Sequence, residues 1–153
     1  LKAESQSETE GLQSSLRVPD ADALDRSDGI SPELNELSYA VIGAALEVHR
    51  VLGPGLLESL YEEALCVELS LRKVPFARQV AIGLTYKEKP IGDARIDLLV
   101  SGKLVVELKA VEQLAPVHTA QVLSYLKATG CRLGLLINFN VKRLKEGIKR
   151  IAR

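Results

Sequence analysis

Residues Asp93–Val111, DARIDLLVSGKLVVELKAV, decide how the chain folds. Two apolar runs flank Ser101 and Gly102, so the stretch reads as two strands joined by a tight turn. Their Val, Leu and Ile content suits a sheet covered on both faces. Side chains alternate along a strand, so Glu107 and Lys109 share one face while Leu108 takes the other. Asp97 lies on the preceding strand. Each ion in such surroundings costs several kcal/mol unless it is paired or bound. A hard divalent cation held by Asp97 and Glu107 would compensate them. The loop length tests this. A two-residue loop, Ser101–Gly102, pairs Asp97 with Val106 and sends Glu107 to the wrong side. A three-residue loop, Ser101–Lys103, pairs Asp97 with Glu107, and such loops commonly place Gly in the left-handed region.

The chain of 153 residues suits one domain with a substantial core. Two Phe and four Tyr leave that core mostly aliphatic. Cys66 and Cys131 lie in apolar segments and are expected to be buried, reduced thiols of a cytoplasmic protein. No run is long and apolar enough to span a membrane, and the polar, acidic N-terminus does not resemble a secretory signal. The chain opens on Leu1 and contains no Met, so its start is expected upstream. Charge is unevenly spread. Residues 1–36 hold three basic and nine acidic side chains, whereas residues 37–153 hold 17 basic and 11 acidic. The basic excess is densest in Lys142, Arg143, Lys145, Lys149, Arg150 and Arg153. A mildly basic body permits a polyanionic partner without requiring one.

Residues 1–31 are poor in large apolar side chains and are expected to form a disordered acidic tail, with the folded unit over 32–153. That tail either shields the basic body or has no role. Ser31-Pro32-Glu33 is a helix start, and Leu34, Leu37, Val41, Ala44, Ala45 and Val48 follow at helical spacing to about Arg50. His49 suits the helix end, where positive charge meets the dipole. Gly53-Pro54-Gly55 breaks the chain. A second helix covers about Leu56 to Leu71, with Leu57, Leu60, Ala64 and Leu71 facing the core and Glu58, Tyr61, Glu62 and Leu65 on another face. A first strand runs from Pro75 to Tyr86, with a turn at Lys87–Pro90 before the central hairpin. Pro116 opens a third helix that Gly130 closes, with His118, Gln121 and Tyr125 along one face. Cys131–Phe139 is a buried strand, and Val141–Ala152 is expected to form a short basic helix. The result is a mixed α/β fold layered around one sheet of about four strands.

An Asp followed by Glu-x-Lys on the neighbouring strand suits metal-assisted phosphodiester cleavage. Asp97 and Glu107 would supply oxygen ligands to Mg²⁺ or Mn²⁺, which keeps several waters and takes a phosphate oxygen. The Leu108 carbonyl would add a ligand. The metal activates a bound water and neutralises developing charge, while Lys109 positions the nucleophile or stabilises the transition state. Taken alone, Glu-x-Lys in a strand is equally a solvated cross-strand pair.

Asp97, Glu107-Leu108-Lys109 and the later Gln121-x-x-x-Tyr125 resemble the PD-(D/E)XK nuclease superfamily, the Gln-x-x-x-Tyr element its exonuclease-like branch. Gly55-Leu-Leu-Glu58-Ser-Leu-Tyr61 resembles the signature of the bacterial GxxExxY protein family. LGPGLLESLYEEAL, ARIDLLV, VELKAV, AQVLSYLKATG and LGLLINF are similar to that family too, over about Leu37 to the C-terminus. The resemblance implies a three-layer α/β/α, restriction-endonuclease-like fold and a metal-dependent nuclease acting on DNA or RNA. It makes Glu58 a third site carboxylate and Gln121 a site-lining side chain. Tyr61 and Tyr125 become either supports of the site or plain core residues. The alternatives are a silent nucleic-acid-binding module of the same fold, or a regulatory interaction domain whose charged cluster is a salt-bridge network. Aromatic residues are too few to favour base stacking on single strands, which leaves the C-terminal basic segment as either a phosphate contact or a solvated face.

Overall fold

A computed structural model describes residues 29–153, and the expected acidic tail falls outside them except for its last three residues. Of these, Ile30 is already buried in the core. Helix α1 spans Pro32–Leu52, and the Ser31 hydroxyl caps it by accepting from the Leu34 N–H at 3.2 Å. Its apolar face is the expected one: Leu34, Leu37, Val41, Ala44, Ala45 and Val48 are all buried. Near its end, His49 Nε2 lies 2.8 Å from the Val141 carbonyl, so this ring ties helix to loop. Helix α2 spans Glu58–Leu71 and α3 spans Pro116–Thr129, closed by Gly130 in the left-handed conformation.

Among the described residues there is one five-stranded sheet, in the order β1 (Phe76–Tyr86), β2 (Lys89–Val100), β3 (Leu104–Lys109), β4 (Leu133–Asn138) and β5 (Ile148–Ala152). Only β3 and β4 pair in parallel, joined by α3 as a crossover. Helices α1 and α2 cover one face over Leu98, Leu104, Val106, Leu108, Leu135 and Ile137. Helix α3 covers the other over Ile96, Val105, Leu136 and Ile151. This is the expected three-layer sandwich, with one strand more than anticipated.

That extra strand replaces the expected C-terminal basic helix. Only Leu144–Gly147 forms a single 3₁₀ turn, and Ile148–Ala152 then pairs antiparallel with β4. Ile151 packs under α3, and Ile148 packs against the core on the opposite face. Gly147 makes the switch possible, because a Cβ there would sit 2.3 Å from the Asn138 carbonyl oxygen. Nor is the basic segment simply a solvated face: Arg150 Nη2 donates to the buried Asn35 Oδ1 on α1.

Helix α2 corrects a second expectation. Leu57, Leu60 and Leu71 are exposed, and the buried residues are Tyr61, Glu62, Leu65, Cys66 and Leu69. Both cysteines are free: Cys66 is buried and Cys131 half-buried. Burial pushes the Cys66 thiol up to about 11, consistent with a structural role. No helix among the described residues is long and apolar enough to cross a membrane.

Candidate active site

The central hairpin has the three-residue loop. Val100 pairs with Leu104, Leu99 with Val105 and Leu98 with Val106, leaving Ser101–Lys103 between them. Gly102 adopts φ 68° and Ser101 φ 51°, both in the left-handed region. Continued by one step, this register sets Asp97 against Glu107.

At that step the ladder changes character. The Asp97 N–H donates to Glu107 Oε1 at 2.9 Å, and the Leu108 N–H donates to Asp97 Oδ2 at 2.9 Å. Each carboxylate has taken the place of the opposite strand's carbonyl, so the strands separate and both acids reach into the gap. Strand β2 also changes face here. Leu98 packs under α1 and α2, whereas Ile96, two residues earlier, packs under α3. On a regular strand these residues would share a face. The neighbouring strand turns over at the same level: Arg78 pairs with Leu98 and Val80 with Ile96, skipping Gln79 and Asp97. Gln79 carries the twist at φ 48°, a conformation that costs a non-glycine residue energy.

The Gln79 amide bridges two acids, donating from Nε2 to Glu62 Oε1 at 2.9 Å and to Asp97 Oδ1 at 3.3 Å. Glu62 on α2 also accepts from Arg78 Nη2 at 2.9 Å. Both Asp97 oxygens are therefore held, one by a backbone N–H and one by this amide. Sequence reasoning gave Glu62 no role and overlooked Gln79, whose only signal is a polar side chain on an apolar strand.

Glu58 is the first residue of α2 and is open to solvent. The preceding turn explains how it is placed. Gly55 adopts φ 101°, which favours glycine. Four residues into the helix, the buried Tyr61 hydroxyl donates to the Gly53 carbonyl at 2.6 Å and accepts from the Leu56 N–H at 3.1 Å. Its ring stacks on Phe139 at 4.6 Å. Tyr61 thus anchors the turn that delivers Glu58. On α3, Tyr125 is buried, and its pKa is raised first by that burial and then by the charge of Glu107, with a hydrogen bond from the Gln121 side chain opposing. His118 caps α3 instead, its Nδ1 accepting from the Ala115 N–H at 3.0 Å.

The electrostatics reveal a site with excess negative charge. Glu107 is 3% exposed and its carboxyl is pushed up to about 8, first by burial and then by Asp97, with the Asp97 N–H and Lys109 opposing. Asp97 is raised by burial and by Glu62, against the Leu108 N–H, the Gln79 amide and Lys109. Glu58 is raised by desolvation and then by Asp97, with Lys109 pulling it down and Glu62 adding to the rise. The structure therefore brings Glu58, Asp97, Glu107 and Lys109 within electrostatic reach of one another, with Gln121 and Tyr125 alongside. Among the described residues, no group of three or more His, Cys, Asp or Glu converges tightly enough to hold a metal ion. The donor set is the Asp97–Glu107 pair with the main chain beside it. Such a pair fits Mg²⁺, which binds through one or two carboxylates and keeps waters.

A family model described as the PD-(D/E)XK nuclease superfamily matches residues 35–151. The chain belongs to that superfamily. No curated protein and no solved structure matches it. The PD-(D/E)XK match runs from α1 into β5, so it takes in every residue of the site and the strand the sequence had suggested was a helix.

Two outcomes follow from this geometry. The folded pKa of Glu107 lies above its ordinary 4.5. Its contribution to stability is therefore complete below that value and lost as pH rises towards about 8. In urea titrations with EDTA, Glu107→Gln should gain stability relative to the parent chain between pH 5 and pH 8. A constant difference would contradict the assigned pKa. Tyr61→Phe removes the hydroxyl that holds the half-buried Gly53 carbonyl and the Leu56 N–H, and should lower unfolding stability by about 1 kcal/mol.

Proposed function

We infer that the chain is a divalent-metal-dependent nuclease, hydrolysing phosphodiester bonds in DNA or RNA at the Asp97–Glu107 gap. The observation that carries this reading is the pair itself: two acids set opposite each other across the hairpin, each accepting from a backbone N–H of the other strand. Membership of the PD-(D/E)XK nuclease superfamily supports it. Within that superfamily, Gly55, Glu58 and Tyr61 support assignment to the GxxExxY group, since the three cooperate in one turn.

Asp97 and Glu107, with the Leu108 carbonyl, would hold Mg²⁺ or Mn²⁺. When bound, the cation would lower the pKa of a water and neutralise charge developing on the phosphate. The remaining chemistry belongs to the chain. Glu107 must release its proton before the site can accept a cation, so activity should fall below neutral pH. Lys109, on the same side of β3 as Glu107, offers an ammonium to the phosphate where charge builds up. Glu58, within electrostatic reach of Asp97 and Lys109, can orient a water or a further ligand. Gln121, the hydrogen-bond partner of Tyr125 on α3, would offer its amide to the substrate.

The test is cleavage of labelled single- and double-stranded DNA and RNA by the purified chain, with Mg²⁺, with Mn²⁺ and with EDTA. Metal-dependent cleavage is expected, with Asp97→Asn and Lys109→Ala each reduced by about 10²–10³-fold while still folded. Equal cleavage by Lys109→Ala and the parent chain would assign the activity to a contaminant. Metal binding without cleavage of any substrate would leave a silent binding module.

A further inference from the structure

The loop that leaves β4 carries a run of cations at the site end of the sheet. Strands β3 and β4 are parallel, with Glu107 opposite Leu136 and Lys109 opposite Asn138, so both strands end at the same edge. From there the chain reads Phe139-Asn140-Val141-Lys142-Arg143-Leu144-Lys145, with three basic residues and no acid. Lys142, Arg143 and Lys145 are all exposed, and none of them is ion-paired among the described residues.

This loop is pinned at its root and along its length. The Phe139 N–H donates to the Lys109 carbonyl at 2.9 Å, and Asn138 Oδ1 accepts from the Val111 N–H at 3.0 Å and the Asn140 N–H at 3.2 Å. The next residue is held from α1, where His49 Nε2 lies 2.8 Å from the Val141 carbonyl. A carbonyl can only accept, so the ring donates. Val141 packs against the core and Leu144 is buried in it, which leaves the two residues between them, Lys142 and Arg143, facing solvent.

We propose that Lys142 and Arg143 form a phosphate-binding strip, which grips the sugar–phosphate backbone of a nucleic-acid strand beside the bond cut at the Asp97–Glu107 gap. The strip rests on the nuclease reading and extends it to the flank of the substrate. Charge favours this ligand. The site gathers Glu58, Glu62, Asp97 and Glu107 around Lys109, so an approaching polyanion needs positive charge from outside it. Reach agrees. At no more than about 3.6 Å per residue, Lys142 lies within about 11 Å of Phe139, or about three nucleotide steps along one strand of B-DNA. A pinned pair of cations also loses less freedom on binding than lysines on a loose loop. The cations at the tip of the β1–β2 ribbon are less suited, since Lys87 and Lys89 flank Glu88 and Lys87 Nζ already sits 5.4 Å over the Tyr86 ring.

The strip is tested by fluorescence anisotropy of labelled DNA and RNA strands with the full chain in EDTA. Lys142→Gln combined with Arg143→Gln should weaken binding at least about tenfold and lower the slope of log K against log salt by about 1.4–1.8. The control removes the same charge from the opposite end of β3 and of α3: Lys103→Gln combined with Lys127→Gln should change binding less than about twofold. All four side chains are exposed, so far-ultraviolet circular dichroism should be unchanged in both variants. In Mn²⁺ the loop variant should raise KM and keep kcat, because neither cation touches the reacting phosphate. No binding by the parent chain, binding indifferent to the loop substitutions, or equal weakening in the control would each overturn the strip, and Mn²⁺-dependent cleavage by the parent chain would then leave the nuclease reading in place. Loss of binding confined to the loop variant, with no cleavage by the parent chain in any metal, would support the strip and remove the nuclease reading.

Discussion

The structure depends on two hydrogen bonds that cross the hairpin where its strands part. Asp97 and Glu107 each accept from a backbone N–H of the opposite strand, and in doing so they replace ladder bonds by carboxylates. A buried carboxylate is tolerated only when its lone pairs are occupied, and here the backbone occupies them. The consequence is a gap in the sheet beside its buried central strands β3 and β4. Strands β1 and β2 turn over at that level, so their side chains cross from the α1–α2 layer to the α3 layer. The gap thus opens to both layers, which is why groups from α2 and α3 can surround acids carried by the sheet.

Those groups arrive by different devices. Glu58 depends on the Gly53–Gly55 turn, and the Tyr61 hydroxyl holds that turn by its own backbone. Glu62 lies one helical turn further along α2 and acts through Gln79 on Asp97. On the far side of the sheet, Gln121 and Tyr125 follow from the start and pitch of α3. At the end of β3, the buried Asn138 amide accepts from the Val111 N–H at 3.0 Å and donates to its carbonyl at 2.8 Å. The segment leaving Lys109 is therefore fixed rather than free. Tyr61 and Asn138 act on backbone near a functional side chain and Gln79 on the side chain itself, which is how a site keeps its geometry before substrate arrives.

Much of this could be read from the residues. The Ser101–Lys103 loop was legible because register and the side of Glu107 are linked by a period of two. Helix α1 and helix α3 were legible from Ser31, Pro32, Pro116 and Gly130, which act locally. Strand β5 was not, because Lys149 and Arg150 interrupt its apolar residues and Gly147 acts through a close approach to Asn138. On α2, leucines at helical spacing predict a buried face of Leu57, Leu60, Ala64 and Leu71, and of that set only Ala64 packs against the core. Gln79 and Glu62 were invisible because a bridge between two polar side chains is a tertiary fact with no local pattern.

The account rests on Glu107 holding a proton that a cation must displace. Calorimetric titration of the chain with Mn²⁺ at pH 7, in buffers of different ionisation enthalpy, counts that proton directly. With the Glu107 carboxyl at about 8, close to one proton should leave per ion bound, falling towards none above pH 9, and Glu107→Gln should release none. Binding at pH 7 without proton release, or unchanged binding in Glu107→Gln, would contradict it.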